Sequence, residues 1–82
     1  MGRFLGERPV EVRHARLRPL AFRVGRRWVR VREIRDYWRD TGRWWAGESE
    51  KHFYRVLAGD GGVYEICYQP ADGSWFLYRI YD

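Results

Sequence analysis

One cysteine, one lysine, two histidines and three prolines stand among these 82 residues. The lone Cys67 sits in an apolar run, so it supports neither a disulfide framework nor a thiolate metal site, and it points to a reducing compartment, with the cytoplasm expected. No uninterrupted apolar stretch approaches the roughly 18 residues that a membrane span requires. The amino terminus, "MGRFLGERPVEVRHARL", is charged and has no apolar core of the signal-peptide kind, so neither a leader nor a membrane partner is expected. His14 and His52 with scattered carboxylates make no metal set, and no motif for a cofactor is present. The stretch "ESEKH" offers Glu48, Glu50 and His52 as an acid and base, but nothing supplies a nucleophile, an oxyanion nest or a phosphate loop. The "GDGG" run lacks the strand-to-helix context of a phosphate-binding glycine loop. The expectation is a protein that is not an enzyme.

Aromatic rings and arginine fill the space those absences leave. A chain of this length buries only roughly 60 to 65% of its unfolded surface, so its core must come from large side chains. Five Trp, six Tyr and four Phe supply them. The net charge of +5 is unevenly placed: residues 1–43 hold thirteen Arg against Glu7, Glu11, Glu33, Asp36 and Asp40, while residues 44–82 are net acidic. Such an asymmetry is the footprint expected for a polyanionic partner, usually nucleic acid, although a solvated arginine face produces it too.

Strand signals dominate. "LAFRVGRRWVRV" reads as a hairpin about Gly25 and Arg26 with a type II′ turn, which pairs Phe22 with Val29 and Leu20 with Val31. A turn centred on Asp60 pairs Val56 with Tyr64 and Tyr54 with Ile66 on one face, and Arg55 with Glu65 and Phe53 with Cys67 on the other. A turn at "PADGS" then sets Tyr68 beside Trp75, Ile66 beside Leu77 and Tyr64 beside Arg79. Residues 32–42 are ambiguous. Val31, Ile34 and Trp38 share a helical face, whereas a strand needs a bulge between Val31 and Ile34. The β-branched and aromatic content favours a long bent strand. The expectation is one all-β domain over 1–82, with an N-terminal arm at 1–8, basic strands at 9–45 and a three-stranded meander at 50–82. Five or six antiparallel strands would curl strongly or close in part as a barrel.

The run from Gly42 to Asp82 resembles a known family. Gly42, Trp44 and Trp45 begin it; Phe53, Tyr54, Arg55 and Val56 follow; then come Asp60 and Gly61, and Gly73, Trp75, Phe76 and Leu77, before the terminal Tyr81 and Asp82. This pattern is similar to the domain family DUF6504, and to the C-terminal tail of the inactive Y-family polymerase-like proteins of the bacterial mutasome, the ImuB type. The resemblance implies an adaptor associated with translesion DNA synthesis and DNA repair, with a DNA polymerase or mutasome subunit as partner.

Arginines interleave with rings from Arg26 to Trp45. Of these, Arg27, Trp28, Arg30, Arg35, Trp38, Arg39, Arg43, Trp44 and Trp45 are the candidate binding residues, for a protein partner or for nucleic acid. Cations that track a backbone and rings on which bases stack are what single-stranded nucleic acid requires. The competing reading places the rings in the core with arginines spread over them, in a structural protein that has no ligand. Adjacent Trp44 and Trp45 on a strand would point to opposite faces, so one of the two would need a surface other than the core.

Overall fold

The computed structural model describes residues 2–40 and 50–81, which form seven β-strands. These are β1 (Gly2–Pro9), β2 (Val12–Ala15), β3 (Arg18–Val24), β4 (Arg27–Asp40), β5 (Lys51–Ala58), β6 (Val63–Gln69) and β7 (Ser74–Tyr81). Every pairing is antiparallel, in the order β1-β7-β6-β5-β4-β3-β2. The fold is all-β, with more strands than the five or six expected, because residues 2–9 are not an arm but a strand laid along β7. Among the described residues no helix is long and apolar enough to cross a membrane.

The connection between β1 and β2 forces the sheet to roll. A flat sheet of seven strands would hold its edges about 29 Å apart at 4.8 Å per strand. Here the edge strands are joined by Val10 and Glu11 alone, and the three steps from Pro9 to Val12 reach roughly 10 Å. Backbone bonds hold the corner on both sides: Val10 N–H donates to the Trp75 carbonyl at 3.1 Å, and Arg23 N–H donates to the Glu11 carbonyl at 2.9 Å. A second corner lies in β4, which pairs with β3 over Arg27–Arg30 and with β5 from Val31 onward. Two strands that pass between halves of a curled sheet make a partly closed barrel.

The register follows the hydrophobic pattern at most positions. Phe22 faces Val29, Val56 faces Tyr64, Tyr54 faces Ile66, Arg55 faces Glu65, Ile66 faces Leu77 and Tyr68 faces Trp75. Gly25 takes φ 62 at the first turn position and Arg26 does not share that region, as a type II′ turn requires. Two expected pairs are corrected. Leu20 does not meet Val31, because β4 leaves β3 after Arg30. Tyr64 faces Ile80 rather than Arg79, because an extra residue bulges β7 between Leu77 and Arg79.

The inner face packs Phe22, Val29, Tyr54, Val56, Ala58, Tyr64, Ile66, Trp75 and Leu77 into one core. Phe22 is fully buried and meets the Tyr64 ring edge-on, with centroids 4.9 Å apart. Val10 and Val12 from the corner and Val31 and Ile34 from β4 close over it. On the outer face, Glu65 is buried and accepts hydrogen bonds from Arg55 Nε and Nη2 at 3.3 and 3.2 Å and from the Tyr81 hydroxyl.

The β5–β6 turn is held by one carboxylate. Asp60 accepts from Gly62 N–H at 2.8 Å and from the Tyr64 hydroxyl at 2.8 Å, with Arg27 Nη2 at 3.4 Å, while Gly61 takes φ 86. The Gly62 amide, and after it the Tyr64 hydroxyl, hold the Asp60 carboxyl below its ordinary value of 3.8. A depressed folded-state pKa contributes stability that is present above the unfolded value and is lost as pH falls through the folded one. Asp60→Asn is therefore expected to flatten the stability curve below about pH 4, and to cost on the order of 1 kcal/mol at pH 7, the net worth of one hydrogen bond. Urea midpoints for the two proteins across pH 3 to 7 check this. Parallel curves would show that Asp60 does not carry the acid sensitivity.

Candidate interaction surface

The long strand β4 carries every described residue of the expected site. Trp28 is 38% exposed, and the Arg13 guanidinium on β2 lies 4.5 Å above its ring. Arg30 is exposed, and its carbonyl accepts the Gly59 N–H at 2.8 Å. Arg27 pairs with Asp60, and Arg39 pairs with Glu50 at 3.4 Å. Arg35 is exposed at a bulge. Trp38 is also exposed, but one face of its indole lies flat on Phe53, at 5.4 Å and 8° between planes. Arg43, Trp44 and Trp45 lie outside the described residues.

These side chains share a strand without forming one patch. Ten residues separate Trp28 from Trp38, roughly 30 Å along a strand at about 3.3 Å per residue. The Trp28 end belongs to the outer face of β2, β3 and β4, where Arg13 and Arg30 flank Ala21 across three strands. The Trp38 end belongs to β4 and β5, where Arg55 Cζ stands 5.6 Å from the indole and Arg55 Nη1 donates to Asp36 at 3.2 Å.

Two of the openings that the rolled sheet leaves border β4. One, about 730 Å³, lies between the free edge of β2 and the start of β7; Arg13, His14, Trp28, Gly73 and Trp75 are in its wall, and the His14 ring leans on Trp75 at 5.3 Å. The second, about 570 Å³, lies between the β2–β3 turn and the middle of β4, and is lined by Arg16, Leu17, Arg18, Ile34, Tyr37 and Tyr54.

The turn at the second opening is chemically unusual. Arg16 and Leu17 form the two-residue link between β2 and β3, at φ 52 and 64. Two left-handed residues define a type I′ turn, which ordinarily holds Asn-Gly. An L residue with a Cβ costs roughly 1 to 2 kcal/mol there. Tyr54 offsets part of this by donating its hydroxyl to the Leu17 carbonyl at 2.7 Å. Burial, then the neighbouring Tyr37 and Tyr68, raises the Tyr54 hydroxyl above its ordinary pKa, so it remains a donor at neutral pH. Tyr37 packs on Tyr54 at 4.9 Å, and its hydroxyl is hydrogen-bonded to His52 Nδ1 at 2.6 Å.

Much of the arginine charge is unneutralised. Among the described residues, Arg13, Arg16, Arg18, Arg26, Arg30, Arg32 and Arg35 are exposed and none pairs with a carboxylate. No group of three or more His, Cys, Asp or Glu able to hold a metal occurs among the described residues. Sequence reasoning missed Arg13, His14 and Trp75, which only the β1–β2 corner brings together. It also missed Arg16 and Leu17, because no Gly or Asn marks that turn.

A family model described as a domain of unknown function, DUF6504, matches residues 2–82. No curated protein and no solved structure matches the chain.

Proposed function

The chain belongs to the DUF6504 family, and from that membership and its unneutralised surface we propose that it is a non-catalytic interaction module of bacterial DNA repair and translesion replication. In this reading a DNA polymerase or mutasome subunit docks on the exposed arginines and rings of β4 and its neighbours. The supporting observation is the combination on one face of unpaired arginine with half-exposed aromatic surface at Trp28, since Trp and Arg are the residues most enriched at binding hot spots. The similarity of Gly42 to Asp82 to the tail of ImuB-type proteins supplies the choice of partner. Trp28→Ala and Trp38→Ala are expected to keep their fold and to weaken capture of the polymerase subunit at least tenfold, measured by surface plasmon resonance. Unchanged capture by both would remove β4 as the docking surface.

A second reading, direct binding of single-stranded nucleic acid, is favoured by Arg13 over Trp28, with Arg30 beside them: a ring for a base between cations for phosphate. Titration with oligo-dT is then expected to quench tryptophan fluorescence, and log affinity to fall against log salt with a slope of roughly −0.7 per phosphate contacted. Absence of quenching at low salt would eliminate this reading.

A further inference from the structure

We infer that the opening between the β2–β3 turn and β4 is a docking groove for an extended acidic peptide segment of a protein partner, which seats an apolar side chain against Leu17 and Tyr37. This rests on the adaptor reading above and gives its partner a chemistry.

Four observations converge on this groove. Its lining is apolar where it is open: Leu17 is 40% and Tyr37 49% exposed, with Ile34 and Tyr54 behind them. Exposed aliphatic and phenolic surface that lines one concavity is a seat for an apolar side chain of a partner. Its rim is cationic. Arg16 and Arg18 lie in the lining and neither pairs with a carboxylate. Two unneutralised cations beside an apolar floor are complementary to a segment that carries carboxylates next to an apolar residue.

Next, the flanking backbone is incompletely used. β3 pairs with β4 only over Ala21–Val24, so Arg18, Pro19 and Leu20 have no β4 partner, while Arg18 and Pro19 are paired with β2 on the other side. An extended segment is the occupant that such an opening between strands admits. Finally, the turn is built against its own preference. Leu17 keeps a left-handed backbone although its side chain is not buried as a core anchor, and the Tyr54 hydroxyl holds it in place. Strain that the surroundings maintain is a mark of functional positions.

The test uses the full chain and a fluorescein-labelled peptide of the sequence Glu-Asp-Leu-Phe-Asp-Glu, read by fluorescence anisotropy. Its lysine twin, Lys-Lys-Leu-Phe-Lys-Lys, and an oligo-dT strand serve as comparisons. The acidic peptide is expected to bind and the lysine twin not to. Arg16→Asn with Leu17→Gly is expected to raise Tm by roughly 5 °C, because it installs the residues that a type I′ turn favours. The same variant should bind the acidic peptide at least tenfold more weakly, because the apolar contact and one cation are gone. Arg18→Glu should weaken it similarly without the gain in Tm. Equal affinity in these variants, preference for oligo-dT over the peptide, or no peptide binding would overturn the inference. Capture of the polymerase subunit separates the two proposals. If the turn variant captures normally while Trp28→Ala does not, the groove is wrong and the adaptor reading stands; if neither variant alters capture, both fall.

Discussion

Replacing Arg55 with alanine is expected to cost about 3 kcal/mol, at the low end of the range for stripping the partner from a buried charge. Glu65 is 2% exposed on the outer face of the sheet, and Arg55 supplies two of its hydrogen bonds. Without the guanidinium, the carboxylate keeps only the Tyr81 hydroxyl as a donor among its described partners. The low end applies because the Arg55 side chain is 38% exposed and water screens part of the pair. A domain of this size has a total stability of about 5 to 15 kcal/mol, so the variant would populate unfolded chain under mild conditions. The double change Arg55→Met with Glu65→Leu is expected to recover most of the loss, since it removes the charge together with its partner. Urea unfolding gives both values. A loss below about 1 kcal/mol for Arg55→Ala would show that water compensates Glu65 fully.

That pair was legible in the sequence because it obeys period two. Arg55 and Glu65 lie equally far from a turn that Asp60 and Gly61 mark, so strand alternation alone sets them opposite each other. The same logic found Phe22 against Val29, and it failed where the period breaks. Val31, Ile34 and Tyr37 all lie on the core side of β4, spaced by three, which is also a helical spacing. The structure reaches that spacing with two bulges, each adding one arginine, Arg32 and then Arg35, before the next inward residue. Periodicity cannot separate a helix from a strand bulged at every turn of the pattern. β-branched content decided correctly for strand, but the bulges' positions depend on where β4 exchanges β3 for β5.

The candidate site was legible as residue types and not as a place. The arginine and tryptophan pattern points to β4, on which Trp28 and Trp38 are 38% and 36% exposed. What it could not supply is the neighbourhood. Arg13 reaches Trp28 because β2 pairs with β3 and β3 with β4, and His14 reaches Trp75 because the two-residue corner folds β2 back toward β7. Both are long-range consequences of barrel closure. The Arg16–Leu17 turn was invisible for a different reason: its backbone conformation contradicts its residues' own preferences, and local propensity predicts the reverse.

Replacing Phe22 with alanine is expected to be at least as costly as the loss of Arg55, about 3 to 5 kcal/mol. The ring is fully buried between Val12 on β2 and Val29 on β4, and its edge contact with Tyr64 reaches across the barrel to β6. β3 pairs only with β2 and β4, so this ring is a principal link between the smaller half of the barrel and the larger sheet. Neighbours on strands pinned by hydrogen bonds cannot collapse far into the vacated volume, and incomplete collapse is what places a truncation at the expensive end. Tyr64→Phe isolates the packing contribution, because it preserves the ring and removes only the hydroxyl's bond to Asp60, at about 1 kcal/mol. The two variants also differ in where they loosen the molecule. Phe22→Ala should speed hydrogen exchange first in β2 and β3, ahead of global unfolding, whereas Tyr64→Phe should leave that order unchanged. Uniform acceleration across all strands in Phe22→Ala would show that the two halves unfold as one cooperative unit and that the seam at Phe22 has no stability of its own.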